Sequence, residues 1–156
     1  MYGECDKYYM RLAIEQARAA MALGEVPIGA VIVKNKRILT TGYNGAPAGV
    51  KSCVERGECL RRKLGIPSGT RAEVCYAVHA EQNALIQAAR MGVSVYGATM
   101  YVTYSPCIIC ARLLINAGIV RVIYHYDYPD EFSKEILKEA GVELIKFDPD
   151  AEIVNE

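Results

Sequence analysis

The chain has 156 residues, 52% of them hydrophobic and 23% charged, which suits one folded domain with a sizeable core. Lysine plus arginine and aspartate plus glutamate balance at 18 each, so bulk charge supplies no drive toward nucleic acid, and none is expected as a partner without a local basic patch. No apolar run approaches the roughly 20 residues of a membrane helix, and MYGECDKYYMRLAI lacks the apolar centre of a secretion signal, so a cytoplasmic location is the expectation.

In chain order, Met10, Ala13, Ile14, Ala17, Ala20 and Met21 recur at helical spacing and predict an amphipathic helix from about Asp6 to Leu23, stopped at Gly24. Ile28 to Val33 is a short β-branched run, read as a buried strand. Asn35 to Arg37 turns the chain, and Ile38 to Tyr43 returns as the second strand of a hairpin. From Asn44 to about Glu73 the character changes. Glycines and prolines mix with Cys53 and Cys59 and the basic residues Arg56, Arg61, Arg62, Lys63 and Arg71. A long irregular segment inside one domain is usually functional or separately pinned. His79–Met91 is then a predicted helix, Thr99–Thr103 a strand, Cys107–Ala117 a helix, Val120–Tyr124 a strand, Glu131–Ala140 a helix and Val142–Phe147 a strand. Gly92, Gly118 and Gly141 follow the helices. This alternation implies parallel crossovers and a sheet covered on both faces. With no repeat or linker, residues 1–156 read as a single domain, carrying a cysteine-containing insert at about residues 44–76.

Six cysteines require a reason. With nothing pointing outside the cell, clustering favours metal binding or redox chemistry over disulfides. His79-Ala80-Glu81 and Pro106-Cys107-Ile108-Ile109-Cys110 both sit where a strand or loop runs into a predicted helix. There, unpaired backbone N–H groups and the helix dipole stabilise a thiolate. Cys-x-x-Cys on a first turn brings two sulfurs to one point, and one imidazole from a neighbouring helix start completes three ligands: His79, Cys107 and Cys110. Zinc held by three protein ligands keeps a fourth position for water, the mark of a catalytic site, and water so placed ionises near pH 7 instead of about 15.7. Glu81, two residues past its ligand, is placed to take that proton, to protonate a ring nitrogen beside the attacked carbon, and then to protonate the departing amine. His-x-Glu with Pro-Cys-x-x-Cys is the signature of zinc nucleobase deaminases. Cys-x-x-Cys alone also suits a redox pair, but the preceding proline, the upstream His-Ala-Glu and the strand–helix placement favour the metal.

The segments GAVIVKNKRILTTGYNGAPAG, CLRRKLGIPSGTR, VHAEQNALIQAA and SPCIICARLLINAGI resemble the deoxycytidylate (dCMP) deaminase family, including its bacterial late-competence relatives, from about Tyr8 to Phe147. The resemblance implies a three-layer α/β/α cytidine deaminase-like fold with a mixed five-stranded sheet. It implies zinc-dependent hydrolysis of dCMP to dUMP with release of ammonia, ligands at His79, Cys107 and Cys110, and a proton shuttle at Glu81. It further implies that the Ala80 backbone N–H meets the base carbonyl and that Asn44 hydrogen-bonds the sugar; by residue type alone, Gly42-Tyr43-Asn44-Gly45 equally suits a plain turn. Arg112, Tyr126, Tyr128 and the basic insert residues are the candidates for the substrate phosphate.

The same resemblance implies a second, structural zinc at Cys53, Cys59 and Cys75, whose other reading is three unpaired thiols. Relatives place the fourth ligand, a cysteine, just ahead of the first strand, where this chain has Ala22-Leu23-Gly24-Glu25-Val26-Pro27. Cys5 lies a helix length away and is not expected to substitute; His125 or a carboxylate as the fourth ligand, or a site lost or left incomplete, are the alternatives. The resemblance also implies a homo-oligomer, a hexamer or smaller, and dCTP and dTTP as effectors. Segment Leu23 to Pro27 looks more like tRNA adenosine deaminases and guanine deaminases, so cytidine, guanine and tRNA adenosine stand as competing substrates. A non-catalytic zinc scaffold is the reading from another class, and it would have no need of Glu81.

Overall fold

The computed structural model describes residues 4–68 and 70–149. Helix α1 (Glu4–Ala22) leads into strands β1 (Gly29–Lys34) and β2 (Arg37–Tyr43), and the insert carries the short helices α2 (Cys53–Arg56) and α3 (Leu60–Lys63) and a 3₁₀ turn, Ala72–Val74. There follow α4 (Ala80–Met91), β3 (Thr99–Tyr104), α5 (Ile108–Ala117), β4 (Arg121–Tyr126), α6 (Glu131–Glu139) and β5 (Glu143–Lys146). The strands form one mixed sheet in the order β2-β1-β3-β4-β5, antiparallel across β2–β1–β3 and parallel across β3–β4–β5. The expected architecture is present. Among the described residues, no helix is long and apolar enough to cross a membrane.

The period-two alternation of the strands divides their side chains between two cores. On one face, Val31, Val33, Tyr101 and Ile123 pack under Tyr9, Met10 and Ala13 of α1. On the other, Ala30, Ile32, Met100, Val102, Val122 and Tyr124 pack with Ala80, Ala84 and Ala88 of α4, Ala111 and Leu114 of α5, and Leu137 of α6. Asn35 and Lys36 both take positive φ, 51° and 59°, as the two-residue loop of a hairpin with right-twisted strands demands.

Helix starts fall within one or two residues of the expected ones, and the differences matter at two of them: His79 and Cys107 are N-caps, with helix beginning at Ala80 and Ile108. The insert is more ordered than its composition predicts. Ser52 and Glu55 form a reciprocal capping box that starts α2, and Gly57 ends it in the left-handed region (φ 69°). Helices of four residues are too short for periodicity to reveal.

Small residues set how closely the helices approach the sheet. A Cβ on Gly42 of β2 would lie 2.3 Å from the Ala80 carbonyl oxygen and 2.6 Å from the Ala84 nitrogen, so the backbone of α4 rests directly on this glycine. Replacing it forces the first turn of α4 outward. Gly42→Ala is therefore expected to cost about 1–3 kcal/mol, the usual penalty of overpacking, and to lower the metal content together with the urea midpoint. A wild-type midpoint would show that α4 is not pinned there.

Candidate active site

The starts of α4 and α5 meet at one point. His79 (φ −67°, ψ 151°) and Cys107 (φ −71°, ψ 168°) are extended N-cap residues, and Cys110 is fully buried in the first turn of α5. The His79 Nδ1 atom lies 3.5 Å from Cys107 Sγ and 3.3 Å from Cys110 Sγ. Among the described residues, this is the one group of three or more metal-binding side chains whose ligand atoms all lie within 4.8 Å of one another. Tetrahedral zinc with its usual bonds to nitrogen and sulfur separates those atoms by about 3.6 Å. The donor set fits the ion.

Electrostatics agrees. The Cys107 thiol is lowered to about 4, first by the hydrogen bond from Cys110 and then by that from His79. Cys110 is pushed up, first by giving that hydrogen bond and then by burial. His79 is raised by its bond to Cys107. Protons shared among three such groups are the ones a bound cation displaces. Glu81 is buried beside them (4% exposed), and loss of solvation raises its carboxyl. A carboxyl moved toward neutrality is suited to both taking and giving a proton.

Several groups hold this centre in place. Asp130 accepts from the Ile108 N–H through one oxygen (2.8 Å) and from the Ser133 N–H through the other (3.0 Å), so one side chain caps α6 and braces the start of α5. The Ser133 hydroxyl donates to the Pro106 carbonyl at 2.6 Å. Gln82 accepts from the His79 N–H at 2.9 Å. Gly45 and Val78 form an isolated antiparallel bridge, and Asn83 donates to the Tyr43 carbonyl at 2.8 Å. Sequence reasoning missed Asp130, Gln82 and Asn83; only the Asp-x-x-Ser spacing of the α6 cap was visible there.

Asn44 is 5% exposed, and its side-chain carbonyl accepts from the Ala80 N–H at 2.7 Å. The two groups expected to contact substrate thus hydrogen-bond each other. Neither Asn44 nor Gly45 has the positive φ of a tight Asn-Gly hairpin turn. Asn44 lines a cleft of about 140 Å³ together with His79, Glu81, Cys107, Tyr104 and Tyr128. Arg112 and Tyr126 do not line it. Arg112 follows Cys107 by five residues, which turns it about 140° around α5; it is exposed and donates from Nε to the Ile108 carbonyl. Tyr126 is 51% exposed, packed between the Tyr104 and His125 rings.

Cys53, Cys59 and Cys75 line a neighbouring cavity of about 380 Å³ with Glu25. Their ligand atoms are not gathered as those of the His79 group are. Glu25 is buried (8% exposed) and accepts from the Cys53 N–H at 3.5 Å. Burial, then Glu25, pushes the Cys53 thiol up to about 11, whereas the Arg62 backbone amide lowers Cys59. His125 lies elsewhere, stacked on Tyr126 and edge-on to Phe147. Cys5 is exposed on α1.

A three-donor zinc centre beside a buried carboxyl, on a mixed sheet flanked by helices, is the equipment of a hydrolytic nucleotide deaminase. Residues 3–126 match the family described as "Cytidine and deoxycytidylate deaminase zinc-binding region", and the chain belongs to that family, within its dCMP deaminases. Its zinc site is His79, Cys107 and Cys110. The chain is 41% identical over 124 residues to the deoxycytidylate deaminase of Mycobacterium phage D29, covering 76% of this chain and 92% of the phage protein. It is 34% identical over 145 residues to the deoxycytidylate deaminase of Schizosaccharomyces pombe, covering 92% of this chain and 44% of the yeast protein. The chain thus spans less than half the length of the yeast enzyme. The crystal structure of the dCMP deaminase from cyanophage S-TIM5 in complex with dCMP and dUMP matches with a TM-score of 0.78 at 30% identity, over 94% of this chain and 99% of that one.

The bracing role of Asp130 is open to measurement. Asp130→Ala removes the α6 cap, expected to cost about 1 kcal/mol, and frees the Ile108 N–H beside Cys107. Zinc affinity in a chelator competition should fall about 10-fold, as for other groups that orient ligands. An affinity equal to wild type would assign Asp130 to α6 alone.

Proposed function

We propose that this chain hydrolyses dCMP to dUMP, one water consumed and one ammonia released for each nucleotide. The observation that carries it is the one cleft lined by buried Glu81, the zinc ligands His79 and Cys107, and Asn44, whose side chain accepts from the Ala80 N–H. The S-TIM5 enzyme, whose structure holds dCMP and dUMP, supports the choice of nucleotide, since it is matched over nearly its whole length.

Zinc, when bound, supplies the Lewis acidity that ionises water near neutral pH. Glu81 accepts one proton of the water and passes it to the ring nitrogen beside the attacked carbon; it then takes the remaining proton from the oxygen now bonded to that carbon and gives it to the departing amine as the carbonyl forms. Burial gives its carboxyl the raised proton affinity that such two-way traffic requires. The base carbonyl competes with Asn44 for the Ala80 N–H, and the Asn44 amide turns to the sugar. Ammonia release should be assayed on dCMP, CMP, deoxycytidine, guanine and an adenosine-containing tRNA stem-loop. Turnover of dCMP is expected, abolished in Glu81→Gln with bound zinc unchanged. Turnover of another member of the panel without turnover of dCMP would overturn the substrate, and parallel loss of zinc in the variant would overturn the role given to Glu81.

We further propose a second zinc, structural in role, held by Cys53, Cys59 and Cys75 with the buried Glu25 carboxyl as the fourth donor, since all four line the cavity beside the cleft. A closed site would pin an insert whose short helices bury none of their own residues. Metal analysis is expected to give two zincs per chain, and one in Cys59→Ser. One zinc in the wild-type protein removes the second site.

A further inference from the structure

Of the candidates for the substrate phosphate, Tyr128 and the insert residue Arg61 line the cleft. Arg112 and Tyr126 do not line it, and among its described lining residues the carboxyl groups are Glu25 and Glu81 and the only lysine or arginine is Arg61. A phosphate monoester entering such a cleft needs a cation, and a guanidinium offers it paired donors.

Arg61 comes from α3 in the insert and stands at the wall shared by the cleft and the cysteine cavity. Its Nη1 donates to the Thr70 carbonyl at 3.3 Å. Its Nε is buried with no hydrogen-bond partner, the only such side-chain atom among the described residues. No carboxylate among the described residues forms an ion pair with it. A buried donor without a partner is costly and rare in a folded chain, and it is the condition expected of a group whose partner arrives with the ligand. Its charge also reaches across the cleft, where it partly offsets the rise that burial imposes on the Tyr128 hydroxyl. Glu25, on the same wall, accepts from the Cys53 N–H and forms no ion pair with Arg61, so the guanidinium is the one lysine or arginine group of the described lining that can meet an anion.

We infer that Arg61 binds the 5′-phosphate of the substrate and makes this enzyme choose a nucleotide over a nucleoside. The inference rests on the dCMP reading above. It gives the insert a part in substrate selection, because a segment far in sequence from the metal motif carries the cation for the distal end of the substrate.

Steady-state kinetics of the zinc-loaded protein with dCMP and with deoxycytidine test it, alongside titration calorimetry with dUMP and deoxyuridine. Arg61→Ala is expected to raise KM for dCMP about 30-fold or more, the scale of removing one partner of a desolvated charge pair, with kcat within about 2-fold. Binding of dUMP should weaken by a similar factor, and that of deoxyuridine should not change. Arg61→Lys, which keeps the charge and loses the paired donors, should recover part of the affinity. Zinc content and thermal midpoint report on folding in each variant. An unchanged KM for dCMP overturns the inference. So does equal weakening of dUMP and deoxyuridine, which would make Arg61 a support for the insert. Failure of the wild-type protein to turn over dCMP overturns the substrate reading itself, and it is seen before any variant is made.

Discussion

Three donor atoms from two segments about 30 residues apart must reach one ion, and the rest of the molecule is arranged around that demand. His79 Nδ1 and the two sulfurs are separated by 28 and 31 positions along the chain, yet they lie within bonding reach of a single zinc. Each comes from a helix start, where the chain is extended for one residue and then turns, so the side chain projects from a fixed backbone. Because the ends of α4 and α5 are fixed relative to the sheet, their first turns are fixed relative to each other. Gly42 lets α4 sit against β2, and Asp130 and Ser133 tie the start of α5 to α6. Because β3, β4 and β5 run parallel, the starts of α5 and α6 both follow the C-terminal ends of strands at the same end of the sheet.

Burial then supplies the chemistry. A carboxyl and two thiols are placed where water is scarce, and charge there is tolerated only when it is shared. Cys107 stays easily ionised because Cys110 and His79 donate to it, while Cys110 and Glu81 resist ionisation. The same low-dielectric setting that makes a cation welcome among the thiols gives Glu81 its raised proton affinity. The position of Glu81 two residues after His79 links the two effects, since one helix start carries both.

The insert adds a second layer of control over the cleft. It has almost no core of its own: α2 and α3 contain no buried residue. Caps and turns order it locally, and Glu25, projecting from the approach to β1, joins it to the domain through Cys53. The wall common to the two cavities carries Arg61, so whatever stabilises the cysteine cavity also sets where that guanidinium stands.

The sequence by itself determined the sheet's composition, the helix faces, the metal triad and the glutamate beside it. These are local properties: alternation along a strand, recurrence around a helix, and two cysteines three apart on one turn keep their meaning wherever the element is placed. It did not determine which cations face the substrate. Arg112 and Arg61 read alike as basic residues near a motif, but the rotation of α5 carries Arg112 to solvent, while the fold of the insert carries Arg61 into the cleft. Asp130 and Gly42 were likewise silent, because a residue bracing another helix 22 positions away, or yielding space to one, shows itself only once both are packed. Tertiary structure alone decided these, since they depend on distances between elements that no spacing along the chain encodes.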